Sequence, residues 1–464
     1  MSEQYYSLIL PNVHEYVRRG MDPNFPEDLL KLWRNNASGF SDVSLFWEGE
    51  NKFILSPKPI DPLFINYIRD LVGYNDIQVA SPENFSSEFC DDILNDSSCL
   101  HKIKSFIESK NKVYFIPWGA TESVYKLLDA LQTQHQNFVS EELPERKHYW
   151  SSLHFDSKVG FREMCSQLAK YNDNILIPKG FTCSTFNEAM EIISWFYYQN
   201  KPCVLKAASG VGGFGNVFLY EDMYKQSLDD VISYVKNMIR ELPYFTNGAA
   251  VVEELVVSDS FAGKNSCSRS VFMSGQILPT GIIKIIGGGG DIRDENCYYA
   301  GAELGVGSPL SQFTDTLIPI MRLIGEAIST HGYRGHWGVN FMLSRNGTPI
   351  AIELNARRCG ESHVYALAQR VYGDDWMSNR YILSRFPRAL RSAYSSSIEP
   401  VLDAFTKTNK NYSLDTVLCV PCQTSWLNRT SPGISYMIFG PKRNTVLKVE
   451  EYLLEQLSIV GLVF

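Results

Sequence analysis

The chain alternates short apolar runs, bounded by turn residues, with longer stretches whose apolar positions recur every three or four residues. Lys52-Phe53-Ile54-Leu55-Ser56-Pro57 reads as a strand meeting a turn, and Pro62–Val72 as a helix. Val113–Pro117 reads as a second strand and Glu122–Gln132 as a second helix. Strand and helix in alternation predict an α/β region over residues 1–150, built on a parallel sheet. The polar stretch 140–147 reads as a linker. Beyond it, Val204-Leu205 and Ala249-Ala250-Val251-Val252 have the pattern of buried strands. Residues 163–171 and 313–331 have helical periodicity. The stretch 338–343 reads as a strand, and Asn346-Gly347 as a hairpin turn into a further strand over 349–354. Four consecutive glycines, Gly287 to Gly290, cannot by themselves hold a rigid element, so the stretch 287–295 reads as a mobile loop. The serine-rich stretch 391–397 joins to a small C-terminal α/β unit ending in a helix over 449–457. Three units follow from this reading: 1–150, 151–378 and 379–464.

Composition narrows the classes. A formal charge of −8 argues against broad nucleic-acid binding and against a polybasic membrane surface. No apolar run approaches the length of a membrane span, and Met1-Ser2-Glu3-Gln4-Tyr5-Tyr6 lacks the basic-then-apolar pattern of a secretion signal. The expectation is a cytoplasmic enzyme, with a homodimer as the commonest assembly. Ten scattered cysteines then read as reduced, buried thiols. Cys419-Val420-Pro421-Cys422 has metal or redox spacing, but no second pair accompanies it, so it reads as structural.

Two segments carry candidate chemistry. Lys206 ends a buried strand and is followed by Ser209, Gly210, Gly212, Gly213 and Gly215. Phosphate binding needs close backbone approach and unpaired N–H groups, which glycine permits, and the lysine adds a point charge. The spacing is neither a Walker A motif nor a dinucleotide fingerprint. Further on, Glu353 and Asn355 sit two apart in a strand pattern and therefore on one face. A carboxylate and an amide oxygen so placed can hold Mg²⁺ against phosphates. Arg357 extends the same face and can contact a transferred phosphoryl group. Glu253, Glu254 and Leu255 follow a strand and can form a hinge whose backbone reads an adenine edge. Lys158 precedes a helix and can reach phosphates from the opposite side. Arg293, in the glycine-rich stretch read as a lid, can swing onto developing charge. His336 and His363 lie near these segments and read as structural.

In this order, the motifs over 156–377 resemble the ATP-grasp ligases. The subgroup they look most like is the pheganomycin-type peptide ligases and the carrier-protein loading ligase of butirosin biosynthesis. The features that suggest it are Asp156-Ser157-Lys158-Val159-Gly160-Phe161-Arg162, the run from Glu353 through Arg357 and Arg358 to His363, and the turn Lys58-Pro59-Ile60 in the N-terminal region. The resemblance implies an ATP-grasp fold with an N-terminal α/β domain before it and a small C-terminal α/β unit. It implies ATP and Mg²⁺ as cofactors. Lys158, Lys206 and the loop 209–215 would bind phosphates, and Glu253, Glu254 and Leu255 would border the adenine. Glu353 and Asn355 would hold Mg²⁺, and Arg357 would steady the γ-phosphate. The family usually has an acid where Asn340 stands, so this ligand brings an oxygen and no charge. The implied activity is joining a carboxylate to an amine through an acyl phosphate, in specialised metabolism. Alternatives are loading an amino acid onto the thiol of an acyl carrier protein, and an ATP-binding regulatory module without catalysis.

Overall fold

The computed structural model describes residues 5–86, 88–133, 135–210, 213, 215–245, 248–256, 270–294, 299–391, 397–413, 416–427 and 432–464. Five strands form the first sheet: β1 (Tyr6–Leu10), β2 (Asn51–Leu55), β3 (Asp76–Ala80), β4 (Val113–Pro117) and β5 (Phe138–Val139). Their order is β3-β2-β1-β4-β5, and every pairing is parallel. Period-two alternation splits their apolar residues between the two faces. Leu8, Leu10, Phe53, Leu55 and Phe115 enter one core. Ile9, Ile54 and Ile116 enter another. The crossover helices start and stop where local chemistry says they should. Asp61 caps Pro62–Val72 through the Leu63 N–H, and Gly73 ends it at φ 73°. Thr121 caps Glu122–Gln132 through the Val124 N–H.

The second sheet has four antiparallel strands: β6 (Gly180–Cys183), β7 (Cys203–Ala207), β8 (Asn216–Leu219) and β9 (Ala250–Glu254). They run in the order β6-β9-β7-β8. Cys203, Leu205, Ala207, Val217, Leu219, Ala250 and Val252 are buried in the apolar core with residues of the helices Phe186–Tyr198 and Leu228–Glu241. Lys206 and Glu253 belong to the opposite face.

Eight strands make the third sheet: β10 (Ser270–Ile277), β11 (Ile283–Arg293), β12 (Tyr299–Gly305), β13 (Gly335–Leu343), β14 (Pro349–Asn355), β15 (Tyr381–Ala389), β16 (Leu418–Gln423) and β17 (Gly433–Gly440). Their order is β14-β13-β10-β11-β12-β15-β17-β16. The C-terminal strands thus continue the central sheet, through the β12–β15 ladder that pairs Gly301 with Arg385. Behind the sheet, Val271, Met273, Trp337, Val339 and Phe341 share a core with Leu317, Ile320, Met321, Ile324 and Ile328 of the helix Thr314–Thr330. Among the described residues no helix is long and apolar enough to cross a membrane.

Two sequence expectations need correction. The stretch 287–295 is not a loop over its described part: Gly287 to Gly290 lie inside β11, buried and paired with β10, and Gly289 and Gly290 pair with β12 as well. The neighbours explain the composition. A Cβ at Gly287 would stand 2.4 Å from the Tyr365 ring, and one at Gly288 2.5 Å from the Phe272 carbonyl oxygen. At Gly289 it would stand 2.5 Å from the Glu303 carbonyl oxygen, and at Gly290 2.6 Å from Pro309. Glycine is what lets these groups lie flat on the sheet, and the flanking strands supply the order that glycine lacks. The helix expected at 163–171 begins earlier, at Lys158, because Ser157 caps it through the Gly160 N–H at 2.9 Å. Within the stretch 140–147, read as a linker, Glu142 is engaged by Arg358.

Candidate functional site

The site is built where the second and third sheets meet. Asn340 on β13 pairs directly with Glu353 on β14, and Gly338 with Asn355. Register therefore puts Asn340, Glu353 and Asn355 on one face. Asn340 Nδ2 donates to Glu353 Oε1 at 3.1 Å. Lys158 Nζ, on a residue only 7% exposed, lies 3.3 Å from Glu353 Oε2. Burial alone would raise the Glu353 carboxyl, but Lys158, Lys206 and Arg357 outweigh it and hold it below the ordinary carboxylate value.

Lys206 ties the two sheets. Its ammonium is 2.5 Å from Glu253 Oε1 on β9 and donates at 3.4 Å to the Ile352 carbonyl on β14. Arg162 holds the other oxygen of Glu253 at 3.0 Å and donates to the Gly180 carbonyl at 2.6 Å. Beyond Lys206 the loop closes on itself, with Ala207 N–H on the Gly215 carbonyl at 2.8 Å. Gly213 and Gly215 both sit at φ 90°, where a side chain would be strained. Ser209 and Gly210 are half-buried at its start, and Gly212 lies outside the described residues. Asp259, which the ATP-grasp resemblance would offer as a ribose ligand, lies outside them too. The backbone of Ala208 accepts the Lys158 N–H at 2.9 Å, which joins the two lysines through the main chain.

At the expected hinge the donors are already engaged. Glu254 N–H bonds the Lys179 carbonyl at 2.7 Å and Leu255 N–H the Pro202 carbonyl at 3.0 Å. The Glu254 carboxylate pairs with Lys201 at 3.3 Å. Among these groups, the carbonyl oxygens are what the hinge can offer a base.

Arg357, 6% exposed, is fixed from several sides. It donates to Asn355 Oδ1 at 2.6 Å and to the Arg358 carbonyl at 3.2 Å. Asp156 organises this turn. Its Oδ1 accepts the Ala356 N–H at 2.8 Å and stands 3.8 Å from Arg357 Nε, while Oδ2 pairs with Arg19 at 3.0 Å. Arg293 stands at the end of a strand, β11, and not in a loop, and it pairs with Asp291 at 2.9 Å. Ser270 donates to the same Asp291 oxygen at 2.6 Å. Burial pushes the Asp291 carboxyl up, and Glu353 adds to this. Burial also raises Glu361 to about 7, although the Tyr299 hydroxyl donates to it. His363 is pushed the other way by burial, down to about 4.

Asp156, Arg162, Asp291 and Glu361 were given no role from sequence. Asp156 and Arg162 flank Lys158 inside the quoted motif, and that adjacency was the available signal. The partners lie far off in the chain, so the pairing itself was not legible.

No family model matches the chain. It is 20% identical over 353 residues to the L-propargylglycine–L-glutamate ligase of Streptantibioticus cattleyicolor. That match takes in 70% of this chain and 66% of the relative, just under two thirds of its length. Among solved structures, the ADP complex of N5-carboxyaminoimidazole ribonucleotide synthetase aligns with a TM-score of 0.52 at 13% identity, covering 97% of this chain and 96% of the other. An ATP complex of biotin carboxylase from Campylobacter jejuni aligns at 0.55 and 10% identity, covering 98% and 91%.

The chain has the ATP-grasp fold. Its donor set suits a divalent cation beside phosphates. The Glu353 carboxylate and the amide oxygens of Asn340 and Asn355 are the hard oxygen ligands Mg²⁺ takes. Lys158 and Lys206 are compact ammonium groups suited to phosphate. Each is at present satisfied by protein: Glu353 by Lys158 and Asn340, Asn355 by Arg357, and Lys206 by Glu253.

Proposed function

We propose that this chain is an ATP- and Mg²⁺-dependent ligase that joins a carboxylate to an amine, releasing ADP and phosphate. The observation that carries the reading is the paired lysines, Lys158 and Lys206, facing Glu353, Asn340 and Asn355 across the junction of two sheets. Lys158, Lys206 and the loop 209–215 would take the phosphates. Mg²⁺, held by Glu353 with Asn355 and Asn340, would offset charge on the transferred oxygens. A substrate carboxylate oxygen attacks the γ-phosphorus, the bond to ADP breaks, and an acyl phosphate forms. The amine nitrogen then attacks the acyl carbon. A C–N bond forms, the C–O bond to phosphate breaks, and the amine loses a proton. Arg357, buried and fixed by Asn355 and Asp156, would steady the transferred group.

The relative's name, a ligase of L-propargylglycine with L-glutamate, supports amino acids on both sides of the bond. One observation favours an amine over a carrier-protein thiol. An acidic carrier would want a basic surface, but Arg385 is held by Glu450 at 2.7 and 2.9 Å and Arg388 lies 3.7 Å from the same carboxylate. The test is ADP release with Mg-ATP and each of the twenty amino acids, with hydroxylamine to trap acyl phosphate. A hydroxamate with one or a few acids is expected, and Glu353→Ala should abolish it in a folded protein. Full activity in that variant would sink the assignment.

A further inference from the structure

Away from the lysines, a second ionic cluster joins three distant segments. Glu48 precedes β2, Glu142 follows β5, and His336 lies on β13. His336 is only 7% exposed, and neither of its ring nitrogens reaches a hydrogen-bond partner. Its Nε2 stands 3.6 Å from Glu48 Oε1 and 3.6 Å from Glu142 Oε1. One ligand atom from each of the three residues lies within 4.8 Å of the other two.

The remaining contacts hold the carboxylates in place, and two of them fall on the oxygens nearest His336. Arg358, 1% exposed in its side chain, donates to Glu142 Oε2 at 2.5 Å, lies 3.0 Å from Glu48 Oε2, and donates to Glu48 Oε1 at 3.2 Å. Gln276 donates to Glu142 Oε1 at 3.3 Å. Arg358 in turn stacks on Trp47, its guanidinium carbon 4.8 Å from the ring centre.

Charge and distance both ask for a cation. At ion-pair distance the two carboxylates share one guanidinium, that of Arg358. A protonated His336 would close on one oxygen to about 2.8 Å. Instead Nε2 is equidistant from both, and too far to bond either. Ligands about 2.1 Å from a tetrahedral Zn²⁺ stand about 3.4 Å from one another, close to the 3.6 Å that separates His336 Nε2 from each carboxylate. An imidazole with two carboxylates is a donor set for Zn²⁺ or a similar divalent transition ion.

We propose that Glu48, Glu142 and His336 form a divalent transition-metal site, separate from the Mg²⁺ ligands. An ion there would clamp the N-terminal segments to β13 and, through Arg358, to the turn that carries Arg357. The site does not depend on the ligase reading.

The test uses the full chain, stripped with a chelator and titrated with Zn²⁺ by calorimetry, with bound metal counted after gel filtration. Wild type should retain one more Zn²⁺ per chain than His336→Gln, and its melting midpoint should rise with Zn²⁺ while the variant's does not. Glu353→Gln should retain the wild-type excess, which separates this site from the nucleotide's metal. Should His336→Gln fail to fold, Glu48→Gln, at the more exposed ligand, makes the same comparison. Equal stoichiometry in wild type and a folded variant would overturn the site and leave an ionic network closed by a proton on His336.

Discussion

Two glycine-rich segments look alike in the sequence and do opposite things in the molecule. The segment after β7 leaves the sheet as a loop, with Gly213 and Gly215 at φ 90°. The segment 287–290 stays in the sheet as the middle of β11. In the loop, glycine supplies a backbone conformation. In the strand, it supplies absence, since the space of each Cβ is already filled by Tyr365, Leu310, Leu304 or Pro309. Glycine count measures neither flexibility nor chemistry. What decides is whether other parts of the chain arrive to occupy the vacated volume.

Substitutions should separate the two cases, and the largest effect belongs to the strand. Gly288→Ala places a Cβ 2.5 Å from a backbone oxygen that cannot swing aside. It should cost about 3 kcal/mol or more of stability, read by urea denaturation. A wild-type midpoint would break the packing account. Next comes the lysine at the root of the loop. Lys206→Ala should cut ADP formation by about 100-fold, or about 2.7 kcal/mol of barrier. Its melting temperature should fall too, because Glu253 loses one of its two buried partners, although Arg162 still holds that carboxylate.

A pH test comes third. The Glu361 carboxyl is raised by burial to about 7, against about 4.3 in an unfolded chain. The fold therefore retains a proton that the unfolded chain has lost. Stability from this group should fall as pH rises from about 4.3 to about 7 and level off above. Glu361→Gln should flatten that decline, and an unchanged stability–pH curve would show that the carboxyl is not held protonated. The smallest effect is expected at Gly213, where a Cβ meets nothing within 4 Å among the described residues and the positive φ is what resists a side chain. Gly213→Ala should cost about 1 kcal/mol. A loss as large as at Gly288 would erase the distinction between the segments.

Where local chemistry decides, the sequence was legible. The spans Pro62–Val72, Val113–Pro117 and Glu122–Gln132 are found where apolar period and capping residues put them. The common face of Glu353 and Asn355 follows from period two alone. What stayed hidden was set by distant parts of the chain. Asp156 reaches Ala356 and Arg162 reaches Glu253 only after the sheets assemble. Glu142 read as linker because nothing nearby announces Arg358 or His336. β11 read as loop because its order comes from β10 and β12. The helix at Lys158 was placed late, although Ser157 is a good cap, because its apolar period is weak at the start.

The continuity of β12 with β15 bears on how the protein can be cut. A fragment stopped at residue 378 would keep β12 but lose β15, β16 and β17, and so expose a row of unpaired backbone donors and acceptors from Gly301 to Gly305. Leu304 and Ala302 on that strand are fully buried in the whole chain. Such an edge is a template for strand addition from another copy. The shortened protein would then self-associate at its wound, while the full chain closes the sheet with its own C-terminal strands.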